Sequence, residues 1–527
     1  MEHTSPDNGI CGCKAEFRFA CYEPASYWEN LEQYCILHLP SENKEVEFKE
    51  EFKEALRNKL NQKNFDFRGT VFPGYTDDFK DVDFDAEYVR FDEAVFCGDV
   101  DFRNAQFSGA LTSFKGAKLK KGANFSIVKF SSTEGTDFSE AEFCSPEAEF
   151  CSVTFGGAEF GGWWQMFDKA QFHGEKTSFL AVEFSSTMGT SFRATEFSAK
   201  RTDFSRAKFS GTPETVFIGA QFDSSKETTF REAQFSGLRT DFSDARFSGE
   251  CTDFSRAQFS STAETEFKDV QFSAEETSFS QATFKEKVAF VGKKKTVFDT
   301  RSWVWFEHAR IDKPELLTFN TVLLRPGWFV NTDVRKVDFT DVKWHGVTDA
   351  PEGNLKKEIE ALENHGVGSP YTRLAQACQR IAANAEENHN YLHASEFNYW
   401  AMDARRKRQR ASAFAPWRLI WWYWALSGYG ERTWRSATWL LAILVGFALL
   451  YLLVGQVQGF PEPLDNVQSL PHAVAYSLGV MSRQVDKLPS DASILLQYLV
   501  FIEGILGPLQ VALFALALRR KFTRGKG

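Results

Sequence analysis

At 527 residues the chain exceeds what a single core organises, and a length of roughly 150 residues per domain predicts about three units. The formal charge of -10 is modest for that size and excludes a uniformly charged protein, but it is unevenly placed. Residues 66–101 are acidic, whereas 405–435 and 519–526 are basic, which points to a membrane or polyanion near the C-terminal part.

The opening "MEHTSPDNGICGCK" has no apolar run of the kind a secretory signal needs, so the N-terminus is expected to stay in the cytoplasm. Cys11, Cys13, Cys21, Cys35 and His38 then fall within 28 residues. A C-x2-H pair preceded by further cysteines suits tetrahedral zinc, with Cys13, Cys21, Cys35 and His38 as the favoured set and Cys11 able to replace Cys13. Four protein ligands would make the site structural; incidental buried cysteines are the alternative. "SENKEVEFKEEFKEALRNKL" follows as an amphipathic helix entered at Ser41, with Val46, Phe48, Phe52 and Leu56 on or near one side. Residues 1–62 are thus expected to cap what comes next.

From Phe79 to Phe298 the phenylalanines step by five and then by seven or eight, as in 204/209, 230/235, 242/247 and 254/259. Neither the helical period of 3.6 nor the strand period of two explains this rhythm. Back-to-back blocks such as "TDFSR" and "AKFSG" carry a small residue two before each aromatic: Thr202, Ala207, Thr240, Ala245. Cys97, Cys144, Cys151 and Cys251 are scattered through the repeat, three of them directly after a phenylalanine, and are read as reduced thiols.

These blocks resemble the pentapeptide-repeat family. The resemblance implies a right-handed quadrilateral β-solenoid over residues 63–346, with the central aromatic pointing inward, a coil of about 25 residues, roughly nine coils, and a rod of roughly 40 Å at about 4.8 Å per strand. Some relatives mimic duplex DNA. Residues 201–300 carry sixteen Asp plus Glu against fourteen Lys plus Arg, so that face is nearly neutral, DNA mimicry is not expected outside the acidic first coils, and no nucleic-acid partner is expected.

The rhythm decays towards Gly346. After an acidic linker, two helices are expected to meet at Asn388 to Asn390, with Ala394, Phe397 and Met402 inward, as a TPR-like hairpin within residues 347–412. Residues 413–436 gather Trp417, Trp421, Trp422 and Trp424 with Arg418, Arg432 and Arg435, the composition of an interfacial amphipathic helix.

Residues 437–527 hold two apolar runs, Ala437 to Val454 and Ser493 to Leu518, each long enough to cross about 30 Å of hydrocarbon. Basic flanks place both termini in the cytoplasm, giving a multi-pass hairpin in the cell's inner (plasma) membrane. Between the runs, Ser469 and Pro471 open a helix too short to span. Span, short helix, span resembles the two-transmembrane pore-loop ion channels of the potassium-channel-like superfamily, including bacterial members that carry pentapeptide repeats. The resemblance implies a homo-oligomer, a tetramer, passing ions through a pore. Ser477, Leu478, Gly479, Val480, Met481, Ser482 and Arg483 are the pore and selectivity candidates; Glu503, Gly504 and Gly507 would support or gate it, the glutamate behind the pore helix. "LGVMSRQ" stands where a potassium filter would carry TVGYG. No GxSxG, Walker, HExxH or dinucleotide motif stands in a suitable context, so no enzyme and no catalytic residue are expected. A membrane-anchored, non-conducting scaffold is the alternative function.

Overall fold

The computed structural model describes residues 27–29, 32–39, 48–74, 76–146, 150–210, 213–293, 297–345, 351–408, 419–458, 469–483 and 494–524. Two compact units divide the chain, Met1–His345 and Gly346–Gly527.

The first unit is a four-sided β-solenoid. Its strands, mostly two or three residues long, form four parallel ladders of 9, 9, 10 and 11 strands, or about ten turns. Register is set by the aromatics: Phe184 pairs with Phe209, Phe209 with Phe235, and Phe235 with Phe259. Each face contributes one column of stacked rings. In one of them Phe204 and Phe230 lie 4.8 Å apart, Phe230 and Phe254 4.8 Å, and Phe254 and Phe279 5.1 Å. Rings on adjoining faces meet edge to face, as Phe192 and Phe204 do at 5.7 Å and 89°, the arrangement a negative ring face and positive edge favour. A continuous aromatic core results.

The block sequence is explained at the corners. After Phe204 the chain turns tightly: the Ala207 N–H donates to the Phe204 carbonyl at 3.1 Å, with Arg206 at φ 57°. Asp203 Oδ1 accepts the Ser205 N–H at 2.9 Å, which is why aspartate and serine flank the aromatic in "TDFSR". The same bond recurs at Asp241 with Ser243 and at Asp253 with Ser255. At the alternate corner the serine hydroxyl reaches back one coil, Ser260 Oγ donating to the Phe235 carbonyl at 3.1 Å.

One reading changes here. Cys97 and Cys251 are thiols outside any disulfide, and burial pushes Cys251 up to about 12, but Cys144 and Cys151 are joined in a disulfide. Six residues stand between them where the following coil has one, and the strand register on either side sets the two cysteines at one corner.

At the N-terminal end, helix α1 (Lys49–Asn61) buries Phe52, Leu56 and Lys59 on one side, and Phe52 meets Phe72 of the first coil edge to face at 5.9 Å. Ser41 and Val46 lie outside the described residues. Trp303, Trp305, Trp328 and Trp344 are buried in the last coils.

The second unit is helical: α2 (Pro351–Asn364), α3 (Pro370–Glu387), α4 (Tyr391–Arg408), α5 (Leu419–Ser427), α6 (Thr433–Gln458), α7 (Leu470–Met481) and α8 (Ile494–Arg524). The acidic linker is therefore partly helix; Leu355, Ile359 and Leu362, spaced i, i+4, i+7, are buried. In the hairpin Ala394 and Phe397 point inward as expected, whereas Met402 is half-buried and Tyr399, Trp400 and Ala401 fill the interior.

Candidate functional site in the C-terminal helical unit

Two helices are long and apolar enough to cross a membrane, over Thr433–Val454 and Ile494–Arg520. Between them α7 packs on both, burying Ala473, Tyr476, Ser477, Val480 and Met481. Ser469 occupies the position before α7 and Pro471 its first turn, but the Ser469 hydroxyl bonds His472 Nδ1 at 2.7 Å and leaves the backbone uncapped.

Glu503 is fully buried on α8. Tyr451 Oη of α6 donates to one carboxyl oxygen at 2.6 Å, and Ser477 Oγ of α7 bonds the other. The Ser477 hydroxyl also lies 3.1 Å from the Leu444 carbonyl. A carboxyl group in an apolar helix is costly unless it faces polar partners, and here it ties three helices together.

The two glycines differ. A Cβ on Gly507 would fall 2.7 Å from Met481 Cγ and 3.2 Å from its Cα, while Gly504 has nothing within 4 Å. Gly507 is thus the notch that admits the end of α7; Gly504 borders open space. The pore candidates divide in the same way. Ser477, Val480 and Met481 are packed against the spans, Gly479 is half-exposed, and Leu478, Ser482 and Arg483 are exposed. The stretch from Ser477 to Arg483 therefore does not present one common face, because a helical turn sends its residues in opposite directions. Gln484 lies outside the described residues.

The segment expected to lie at a membrane interface holds a helix shorter than expected, Leu419–Ser427, followed by Gly428, Tyr429 and Gly430 at φ 54°, 61° and 75°. Trp417 and Arg418 lie outside the described residues. One face of α4 holds this turn. Ser395 Oγ donates to Glu431 at 2.8 Å, Glu396 takes a two-pronged bond from Arg432 at 2.6 and 2.8 Å, and the Tyr429 hydroxyl donates to buried Asp403 at 3.2 Å. Burial, then Asp403, raise the Tyr429 phenol well above its ordinary range. Burial weakens the proton affinity of Arg406, but Asp403 at 2.7 Å more than restores it. Arg406 also lies over Trp424, 4.4 Å from the ring centre. Sequence reading missed Gln510 of α8, whose Nε2 donates to the Ser436 and Leu426 carbonyls at 2.9 and 3.2 Å; an amide inside an apolar run was the available signal.

Cys35 and His38 are both buried. Cys35 Sγ is 2.9 Å from His38 Nδ1, and His38 Nε2 is 2.8 Å from the Arg68 carbonyl. With Nε2–H on the carbonyl, Nδ1 keeps its lone pair towards the thiol, which is how a metal-binding imidazole is usually held. The pair thus presents one sulfur and one nitrogen donor side by side. Cys11, Cys13 and Cys21 lie outside the described residues, and among the described residues no group of three or more ligating side chains meets.

Comparison with known proteins bears on the first unit. Residues 67–118 match the family model described as pentapeptide repeats (9 copies). Among solved structures, a trypsin-treated variant of QnrB1, a plasmid-mediated fluoroquinolone resistance protein, is similar at 15% identity over 56% of this chain and 97% of that one, with a TM-score of 0.16. No curated protein matches the chain. Residues 67–118 are pentapeptide repeats, and they lie in the β-solenoid unit.

Proposed function

We propose that the C-terminal helices assemble in a homo-oligomer, a tetramer, as an ion channel of the inner membrane, regulated by the solenoid on the cytoplasmic side. The observation that carries this reading is α7, a helix of 12 residues packed between two spans, which a plain membrane anchor does not need. On this reading Leu478, Ser482 and Arg483 line the ion path in the assembly, and Glu503 with Gly507 fixes α7 from behind. Single-channel recording of the purified full chain in a planar bilayer is the test: ionic current whose reversal potential shifts in Arg483→Glu supports the pore, because reversing a pore charge changes ion preference. Well-folded oligomers that pass no current under voltage or tension refute it.

A second reading has its own support. Both carboxyl oxygens of Glu503 find partners within one chain, so the hairpin is complete without an aqueous path, as a non-conducting scaffold anchored in the membrane would be. Absence of current favours it.

At the other end of the chain we propose Cys35 and His38 as two ligands of a structural zinc, completed from Cys11, Cys13 and Cys21. Metal analysis of the full chain, prepared without chelator, should find about one zinc, lost in Cys35→Ser. A zinc-free wild-type protein excludes the site.

A further inference from the structure

Strand register locates the Cys144–Cys151 disulfide within the coil. Phe143 pairs with Phe172 and Ser152 with Lys176, so Cys144 stands opposite His173 and Cys151 opposite Glu175. In the later coil Gly174 alone separates those two positions; in the earlier one residues 145–150 do. The disulfide, with its Cα atoms 5.8 Å apart, therefore closes the neck of a five-residue insertion in the middle of the rod. Both cysteines are still part of the ladders, the Cys144 N–H donating to the Leu119 carbonyl at 2.7 Å and the Cys151 carbonyl accepting from Glu175 at 2.8 Å. A Cβ on Gly174 would lie 2.6 Å from the Cys151 carbonyl oxygen and 3.3 Å from Cys144 Sγ, so the next coil is cut away to make room. Cys144 is fully buried, Cys151 is 6% exposed, and Phe150 beside it is 88% exposed.

We propose that Cys144 and Cys151 form a reversible dithiol–disulfide site that takes glutathione-class thiols and disulfides and sets how firmly this corner is clamped. The inference rests on the cytoplasmic placement proposed above, since disulfides in reducing compartments are mostly transient and redox-responsive. In opening, an external thiolate attacks Cys151 Sγ, the more accessible sulfur. Cys144 leaves as a thiolate and takes a proton, and a second external thiol displaces Cys151. Two external thiols thus become one disulfide while the pair gains two electrons and two protons. Because each coil of a solenoid rests only on its neighbours, a loosened neck weakens the rod at that point.

The sequence offers a clean test. No Lys or Arg lies between Lys129 and Lys169, so trypsin releases residues 130–169 with these two cysteines and no other. The full chain is equilibrated in glutathione buffers from fully oxidised to fully reduced, its thiols are alkylated, and this peptide is weighed. The expected result is a passage from no added alkyl group to two as reduced glutathione rises through the millimolar range. Hydrogen exchange at the Cys144 and Glu175 amides, the two that donate in the ladders at this corner, should rise on reduction, and the solenoid's melting midpoint should fall by a few degrees. A peptide that carries two alkyl groups even in oxidised glutathione overturns the proposal, as does one that carries none in reduced glutathione. Exchange and melting that do not respond to opening overturn the clamp. The Cys144→Ser/Cys151→Ser variant should behave as the reduced protein in every buffer; if it does not fold, the wild-type peptide still decides.

Discussion

Gly504 and Gly507 show how one residue type takes different roles three positions apart on the same helix. Adding a methyl group to Gly507 forces α7 away, since the atoms it meets include Met481 Cα; overpacking of this kind costs about 1–3 kcal/mol. At Gly504 there is space, and alanine in a helix interior is favoured over glycine by up to about 1 kcal/mol. Gly507→Ala should therefore lower the melting midpoint of the detergent-solubilised chain while Gly504→Ala leaves it unchanged or raises it. Equal effects at the two sites would contradict the notch. Glu503 gives a second prediction. Glu503→Leu leaves the Tyr451 hydroxyl without its acceptor, at about 1–3 kcal/mol for a group left unsatisfied, while Ser477 keeps the Leu444 carbonyl; Glu503→Gln keeps a carbonyl oxygen and should cost less. Thermal melting of the two variants side by side ranks them.

At the scale of an element, a solenoid coil is held by ring columns and by corner bonds, and these respond differently to substitution. Phe254 is fully buried, stacked between Phe230 and Phe279. Phe254→Asp places a carboxyl group in that column without a cation to pair it, which costs several kcal/mol, and should abolish the cooperative β-type melt. Asp253→Ala removes only a corner bond to the Ser255 N–H and should cost about 1 kcal/mol. The ring columns were legible in the sequence because a one-dimensional repeat writes its period directly into the spacing of Phe204, Phe209, Phe230 and Phe235. The Cys144–Cys151 pair was not, because its geometry depends on what the neighbouring coil does at His173 and Glu175, and register is fixed between coils. Helix α2 was hidden for a related reason: Leu355, Ile359 and Leu362 are three apolar residues in a polar run, too few to stand out until a surface buries them. In the helical unit, the lengths of the two apolar helices followed from composition, whereas a place for Glu503 behind the short helix was implied only by the resemblance to pore-loop channels. The partner set of Asp403, with Arg406 and Tyr429, required the left-handed turn at Gly428 to Gly430, which no periodicity announces.

For the whole molecule, the division at His345 and Gly346 carries an energetic claim about each unit. All strand pairs of the four ladders lie within residues 71–340, and α1 at one end and the buried tryptophans of the last coils at the other lie in the same unit. A solenoid gains its stability from contacts between adjacent coils, so residues 1–345 hold every contact their ladders need. A fragment of those residues should give a β-type circular dichroism spectrum and a cooperative melt. Residues 346–527 differ, because Leu441, Leu449, Leu453, Phe501, Ile505 and Leu509 are exposed along the two apolar helices. Apolar surface of that extent in water drives association, so this fragment should keep its helical spectrum in detergent and aggregate when the detergent is removed. A soluble, monomeric fragment 346–527 in plain buffer would refute the membrane reading of α6 and α8, and a fragment 1–345 without a cooperative transition would refute the self-contained solenoid.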